Sequence, residues 1–300
     1  MEATWQEQAL ALAKEGQSWR GVARAIGKPH STVRDMLRKA LRSSPPPAEV
    51  VRHTEQDDKS NERILLISDL HFPYHHTDVF AFLDHLKEKY RPTRVICMGD
   101  EVDGHGLSFH EHDPDLNSPG MELQQAKKCI GWLHGMFPVM DILESNHGSL
   151  VWRKAKANGI PRHYIKSYNE ILGVGSGWSW MYDLTITLPT GQKAYFHHGK
   201  SSNVLRLSQM MGMCAVQGHY HESLKIEYWG NPNGLYWGLQ TGCLIDDNSL
   251  AFAYNNVNIK RPVIGTAVII EGQPILEPML LNNKGRWEGH RTLPFLITQH

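Results

Sequence analysis

The chain has 300 residues, 41% of them hydrophobic, and a formal net charge of zero, enough apolar material for one sizeable core and a small accessory domain. No run of about 18 apolar residues is present to cross a bilayer, and the opening "MEATWQEQALALAKEG" carries acids where a secretory leader needs a basic end and an apolar block, so a cytoplasmic protein without a membrane partner is expected. Cys97, Cys129, Cys214 and Cys243 lack CxxC spacing, which argues against a disulfide framework or a zinc ribbon.

The charge is uneven, and residues 1–42 carry +4 while the remainder carries −4. Within 1–42, apolar residues recur at helical spacing in three bursts: Trp5/Ala9/Leu12, Trp19/Val22/Ala23/Ile26 and Val33/Met36/Leu37/Leu41. Gly16 is expected to stop the first helix and Gly27 the second, with Ser31 or Thr32 capping the third. The unit resembles the helix-turn-helix of transposase and resolvase-type DNA-binding domains, and that resemblance implies a third helix in the major groove. Arg34 and Arg38 would then reach DNA from that helix, while Arg20 and Arg24 reach phosphates from the second. The same residues also suit a small oligomerisation or protein-docking module with a solvated basic face. Residues 43–62, rich in Pro, Ser and charge and without apolar period, are expected to form a linker.

From residue 63 to 300 a second domain is expected. Short apolar strand-like runs alternate with amphipathic helical ones in "RILLIS", "VFAFLDHLKEKY", "TRVICM", "ELQQAKKCIGWLHGMF" and "VMDILE", a βαβαβ order that favours a buried sheet with helices outside. Each strand is followed by oxygen or imidazole donors. "RILLIS" runs into Asp69-Leu70-His71, "RVICM" into Gly99-Asp100-Glu101-Val102-Asp103, and "VMDILE" into Ser145-Asn146-His147. Later, His197-His198 closes "KAYFHH", and His219 and His221 follow "MCAVQG". Loops at the carboxyl ends of neighbouring strands share one crevice, and an oxygen and imidazole set without thiolate suits hard and borderline divalent ions.

The ordered series Asp-x-His, Gly-Asp-x-x-Asp, Asn-His, His-Gly, Gly-His-x-His resembles that of the calcineurin-like metallophosphoesterases, over about residues 63–281. The resemblance implies an α/β fold, a four-layer αββα sandwich, with two divalent metal ions at the sheet ends, manganese first among candidates and iron, nickel, cobalt or zinc also compatible. It assigns Asp69, His71 and His221 to one ion, Asn146, His198 and His219 to the other, and Asp100 to both. It further implies a metal-bridging hydroxide as nucleophile, His147 serving the leaving group, and Asp103 orienting His147. His197 is read as a packing residue or as one that supports a ligand from behind. Two positions depart from the family pattern: Ser145 stands where relatives have glycine, and Gly148 where they have an acid.

The basic helical module and the phosphoester series together suggest hydrolysis of phosphodiester bonds in nucleic acid, as in phage or prophage DNA-repair-type phosphoesterases. A phosphatase or small-nucleotide phosphodiesterase with a docking module is the alternative, and a non-enzymatic DNA-binding regulator the remote one. Arg153, Lys154, Lys156 and Arg162 either contact substrate phosphate or form a solvated helix face. The aromatics of "GWSWMYD" either stack a base or pack. His75, His76, His105, His110 and His112 are expected at the rim of the site.

Overall fold

The computed structural model describes residues 4–14, 17, 19–42, 61–108, 115–249 and 261–289, with side chains of α3 described to Leu37. The chain divides into two compact units, Met1–Gln56 and Asp57–His300. Residues 43–60 of the expected linker, together with Gly16, His110 and His112, lie outside the described residues. No described helix is long and apolar enough to cross a membrane.

The first unit holds α1 (Trp5–Lys14), α2 (Trp19–Ile26) and α3 (His30–Arg42). Thr4 and Glu7 form a reciprocal cap at the start of α1, with the Thr4 N–H on Glu7 Oε2 at 2.8 Å and the Glu7 N–H on Thr4 Oγ1 at 3.4 Å. Ala9, Val22, Ala23, Val33 and Leu37 are its buried centre, so each apolar burst in the sequence supplies one side of a small core. Gly27, at φ +67°, reverses the chain after α2, a conformation that a Cβ disfavours. The third helix begins before the expected Ser31 or Thr32 cap. Its first turn is closed by the Pro29 carbonyl, which accepts the Val33 N–H at 3.1 Å.

The second unit runs β1 (Arg63–Ile67), α4 (Val79–Tyr90), β2 (Arg94–Cys97), α5 (Pro119–Met136), β3 (Met140–Leu143), α6 (Leu150–Ala157), α7 (Tyr168–Leu172), β4 (Trp178–Met181), β5 (Leu184–Thr187), β6 (Lys193–His197), α8 (Val204–Met211), β7 (Cys214–Gln217), β8 (Leu224–Asn231), β9 (Gly234–Thr241), β10 (Gly265–Ile270) and β11 (Gln273–Pro278). One sheet has the order β11-β10-β1-β2-β3-β4 and the other β5-β6-β7-β9-β8. Both are mixed. β1 to β4 are parallel in the first, and β6, β7 and β9 in the second.

Successive side chains of a strand point to opposite faces, and β1 shows what that does here. Ile64 and Leu66 pack on Phe196, Val216 and Leu239 of the other sheet, while Leu65 and Ile67 share a core with Phe82, Leu83 and Leu86 of α4 and Ile130 and Leu133 of α5. Across the second sheet, Leu207 of α8 packs against Tyr195 and Ala215. Both faces of each sheet are therefore covered, and the layers read helix, sheet, sheet, helix. The four-layer α/β sandwich expected from the resemblance is the one observed. Its central strands are continuous apolar runs because neither face meets water.

Candidate metal centre

In each sheet the parallel strands end at the same edge, and all the donor residues lie there. Cross-links between these strand ends fix the geometry. The Asp69 N–H bonds the Gly99 carbonyl at 3.1 Å, the His71 N–H the Asp100 carbonyl at 2.8 Å, and the Gly218 N–H the His198 carbonyl at 2.8 Å. The Asp69 carboxylate joins the two sheets by accepting the His219 N–H at 3.0 Å. Six described non-glycine residues have positive φ, and four of them are Asp69, His71, Asp100 and His219. Such left-handed residues cost of order 1 kcal/mol each and persist here because the strand-end bonds hold them. Two glycines are needed for close approach. A Cβ on Gly99 would stand 2.7 Å from Ser145 Cβ, and one on Gly199 would stand 2.5 Å from His219 Cβ.

Asp69, His71, Asp100 and His221 present donor atoms within 4.8 Å of one another, as do Asp100, His198 and His219. Asp100 belongs to both groups. Its Oδ2 lies 3.5 Å from His71 Nε2 and 3.2 Å from His198 Nε2. Asn146 completes the second group, with Oδ1 2.8 Å from His198 Nε2. All seven residues expected from the series are thus brought together, and Asp69, Asp100, His71 and His198 are buried.

The hydrogen bonds decide which nitrogen each ring presents. His198 Nδ1–H donates to the Met98 carbonyl at 2.8 Å, and His71 Nδ1–H donates to Asp103 Oδ1 at 2.6 Å, so both rings turn Nε2 toward Asp100. His71 Nε2 then faces His221 Nε2 at 3.3 Å, a separation at which two lone pairs repel unless a proton or a cation lies between them. Imidazoles anchored by a carboxylate (His71) or a main-chain carbonyl (His198) around one shared carboxylate, without thiolate, fit divalent cations.

The buried charges at the strand ends also shift one another. Burial pushes the Asp100 carboxyl up, but His198 and His147 overcome it and hold it well below the carboxylate range. Burial pushes His198 down, yet Asp100 and Asp69 raise it to about 9. The bonded pair His71 and Asp103 does not move in complementary senses. His71 is lowered by burial and by the charge of His147, whereas Asp103 is lowered because the bond and charge of His71 outweigh its burial. Both directions are consistent with a neutral His71 donating its Nδ1 proton to an ionised Asp103.

His147 and Asp103 are adjacent, and the contact runs mainly through the Asp103 main chain rather than its carboxylate. The Asp103 carboxylate serves His71 first and lies 3.5 Å from His147 Nδ1. The main-chain carbonyl of Asp103 is the nearer partner of His147 Nδ1. A second bond runs from the His147 N–H to Asp100 Oδ1 at 3.1 Å. Burial lowers the His147 imidazole, but Asp100 and Asp103 outweigh it and raise it. The two departures from the family pattern touch each other: the Gly148 N–H bonds Ser145 Oγ at 3.0 Å, and a Cβ at 148 would meet that oxygen at 3.0 Å. The serine hydroxyl takes space that a side chain at 148 would need.

Several other side chains differ from expectation. Arg153 uses Nη2 to hold the Asn146 carbonyl at 2.7 Å, which fixes the ligand loop. His76 is buried and bonds the Gly285 carbonyl at 3.1 Å, and His75 bonds the Pro73 carbonyl at 3.1 Å. Buried His197 accepts the Gly199 N–H at 3.1 Å and is pushed down to about 4 by burial, in keeping with a packing role. Two supporting acids had no signal in the sequence. Glu122 of α5 receives the His105 and Gly106 N–H groups at 2.8 and 3.1 Å, and Glu101 receives Trp180 Nε1–H at 3.0 Å. Each looks like an ordinary surface acid until the fold closes around it.

In the first unit Arg20, Arg24 and Arg34 are exposed. Arg34 pairs with Asp35 at 2.9 Å, and the side chain of Arg38 lies outside the described residues.

No protein-family model matches the chain, and no curated protein matches it in sequence. Among solved structures it is similar to vacuolar protein sorting 29 from Cryptosporidium parvum, at 14% identity over 73% of this chain and 96% of that one with a TM-score of 0.39. It is also similar to Chaetomium thermophilum Vps29, at 11% identity over 75% and 91% with a TM-score of 0.39. Nuclease MPE of Pseudomonas putida stands at 12% identity over 72% and 86% with a TM-score of 0.29. Likenesses this distant say nothing of activity. The chain is an α/β protein of two stacked mixed sheets whose strand ends gather buried His and Asp clusters fit for metal.

Proposed function

We propose that this chain is a metal-dependent phosphoesterase that hydrolyses phosphodiester bonds, with nucleic acid as its substrate. The observation that carries the reading is the sharing of Asp100 by two donor groups, Asp69/His71/His221 and His198/His219 with Asn146. A carboxylate common to two otherwise separate donor sets would suit a pair of divalent cations.

Asp69, His71 and His221 would hold one ion, Asn146, His198 and His219 the other, and Asp100 both. Two divalent cations bound there would acidify a water and neutralise phosphoryl charge. The remaining steps belong to the protein. Met98 and Asp103 fix the tautomers of His198 and His71, so Nε2 is the ligating atom of each. The Asp103 carbonyl accepts a hydrogen bond from His147 Nδ1–H, leaving Nε2 of His147 to donate to the departing alkoxide. Nearby Asp100 and Asp103 favour the protonated ring that this role requires.

The nucleic-acid part of the reading rests on the exposed basic side chains Arg20, Arg24 and Arg34 and on the turn at Gly27 between α2 and α3. A tethered cationic module raises the local concentration of a polyanion without altering the chemistry. Manganese-loaded protein should cleave bis-p-nitrophenyl phosphate faster than p-nitrophenyl phosphate and should degrade labelled DNA. Hydrolysis confined to the monoester would instead indicate a phosphatase.

A further inference from the structure

Next to the ligand loops lies a cavity of about 420 Å³, within the roughly 300–1,000 Å³ of small-molecule sites. Three of its walls are tied to the centre. Glu144 precedes Asn146 by two residues. Trp180 donates Nε1–H to Glu101, the neighbour of Asp100, at 3.0 Å. Tyr182 lies 5.7 Å from Nζ of Lys200, two residues beyond His198.

The lining is aromatic and cationic. Tyr168 and Trp180 lie with ring centroids 5.4 Å apart and planes tilted by 30°, and the Arg162 guanidinium covers Trp152 at 5.4 Å. A purely apolar packing defect would not be lined by Arg162 and Glu144. Flat π-surfaces with a cation beside them are the chemistry that receives a planar heterocycle.

We infer that this cavity is a nucleobase subsite, holding the base of a nucleotide unit whose phosphate sits at the Asp100 centre. The inference deepens the phosphoesterase reading and rests on it, and it gives the aromatics of "GWSWMYD" a binding role.

The test uses the full chain. Binding of 2-aminopurine ribonucleoside 5′-monophosphate to calcium-loaded protein, followed by fluorescence quenching, is compared with binding of ribose 5-phosphate, followed by displacement of that nucleotide, and hydrolysis of bis-p-nitrophenyl phosphate is measured on manganese-loaded protein. The nucleotide should bind at least about tenfold tighter than the baseless sugar phosphate, as base stacking on aromatic rings would give. Trp152→Ala and Tyr168→Leu should each reduce that advantage several-fold, while both variants bind manganese with the parental stoichiometry and melt near the parental temperature. If the diester is hydrolysed and the base adds no affinity, or if N-acetyl-tryptophanamide displaces the nucleotide as readily as adenosine does, the subsite is overturned and the phosphoesterase reading stands. Failure to hydrolyse the diester at all removes both.

Discussion

Asp103 Oδ1 receives the Nδ1 proton of His71 at 2.6 Å, and both side chains are buried. A carboxylate behind a ligating imidazole sets its tautomer, and its removal typically weakens metal affinity 10- to 100-fold. Asp103→Asn should therefore lower the affinity for manganese by about that factor in calorimetric titration. An unchanged affinity with a lowered rate would transfer the role of Asp103 to His147.

Asp100 is shared by both donor groups, so its loss should disable them together. Asp100→Asn and His219→Ala should each lower turnover of a diester by at least about a thousandfold, the equivalent of roughly 4 kcal/mol in the barrier. EDTA should abolish the activity and manganese restore it. Full activity in EDTA, with no gain on adding metal, would sink the two-metal reading.

His147 bonds the Asp103 carbonyl through Nδ1; it stands outside the two donor groups joined at Asp100 and forms a third group with His71 and Asp103. His147→Ala should keep the metal stoichiometry of the parent while losing rate, most for esters with poor leaving groups that need a proton. Elemental analysis beside a leaving-group series checks this. Collapse of metal content with all esters affected alike would make His147 a ligand.

Asp78, before α4, accepts Arg286 Nε–H at 2.8 Å and the Trp287 N–H at 3.0 Å, tying the 281–289 segment to the core. The Arg286 bond outweighs burial and holds the Asp78 carboxyl at about 2. A depressed carboxyl stabilises the fold fully above its unfolded value near 3.9, and that stabilisation is lost as pH falls through the folded value. Arg286 is largely exposed, so screening reduces the effect, and Asp78→Asn should cost about 1–2 kcal/mol at pH 7. The gap between parent and variant in urea unfolding should close between about pH 4 and pH 2. A gap constant over that range would assign the loss to neutral hydrogen bonding alone.

The basic module separates a nuclease from a small-molecule phosphodiesterase. Deleting residues 1–42 should leave hydrolysis of bis-p-nitrophenyl phosphate unchanged and should slow cleavage of long DNA at low substrate concentration. Affinity of the intact chain for DNA should fall steeply with salt as counterions are released. A DNA affinity insensitive to salt, or none, would leave the three helices as a docking or oligomerisation element.

Some of this was legible in the residues alone. The apolar run of 79–90 has helical spacing, and α4 spans those residues. Strand ends carried their own mark, because Asp69, Asp100, Asn146, His198 and His219 each follow a short apolar run directly, and in the fold those runs are β1, β2, β3, β6 and β7. Period and punctuation are local properties, so the chain itself states them. Pairings between distant segments are not local. That Asp103 anchors His71, that Ser145 fills the space beside Gly148, and that Glu101 meets Trp180 depend on how strands register within a sheet and how loops close over its edge. His76 shows the same limit most plainly: its partner is the carbonyl of Gly285, 209 residues away, and only the packing of the folded chain brings the two together.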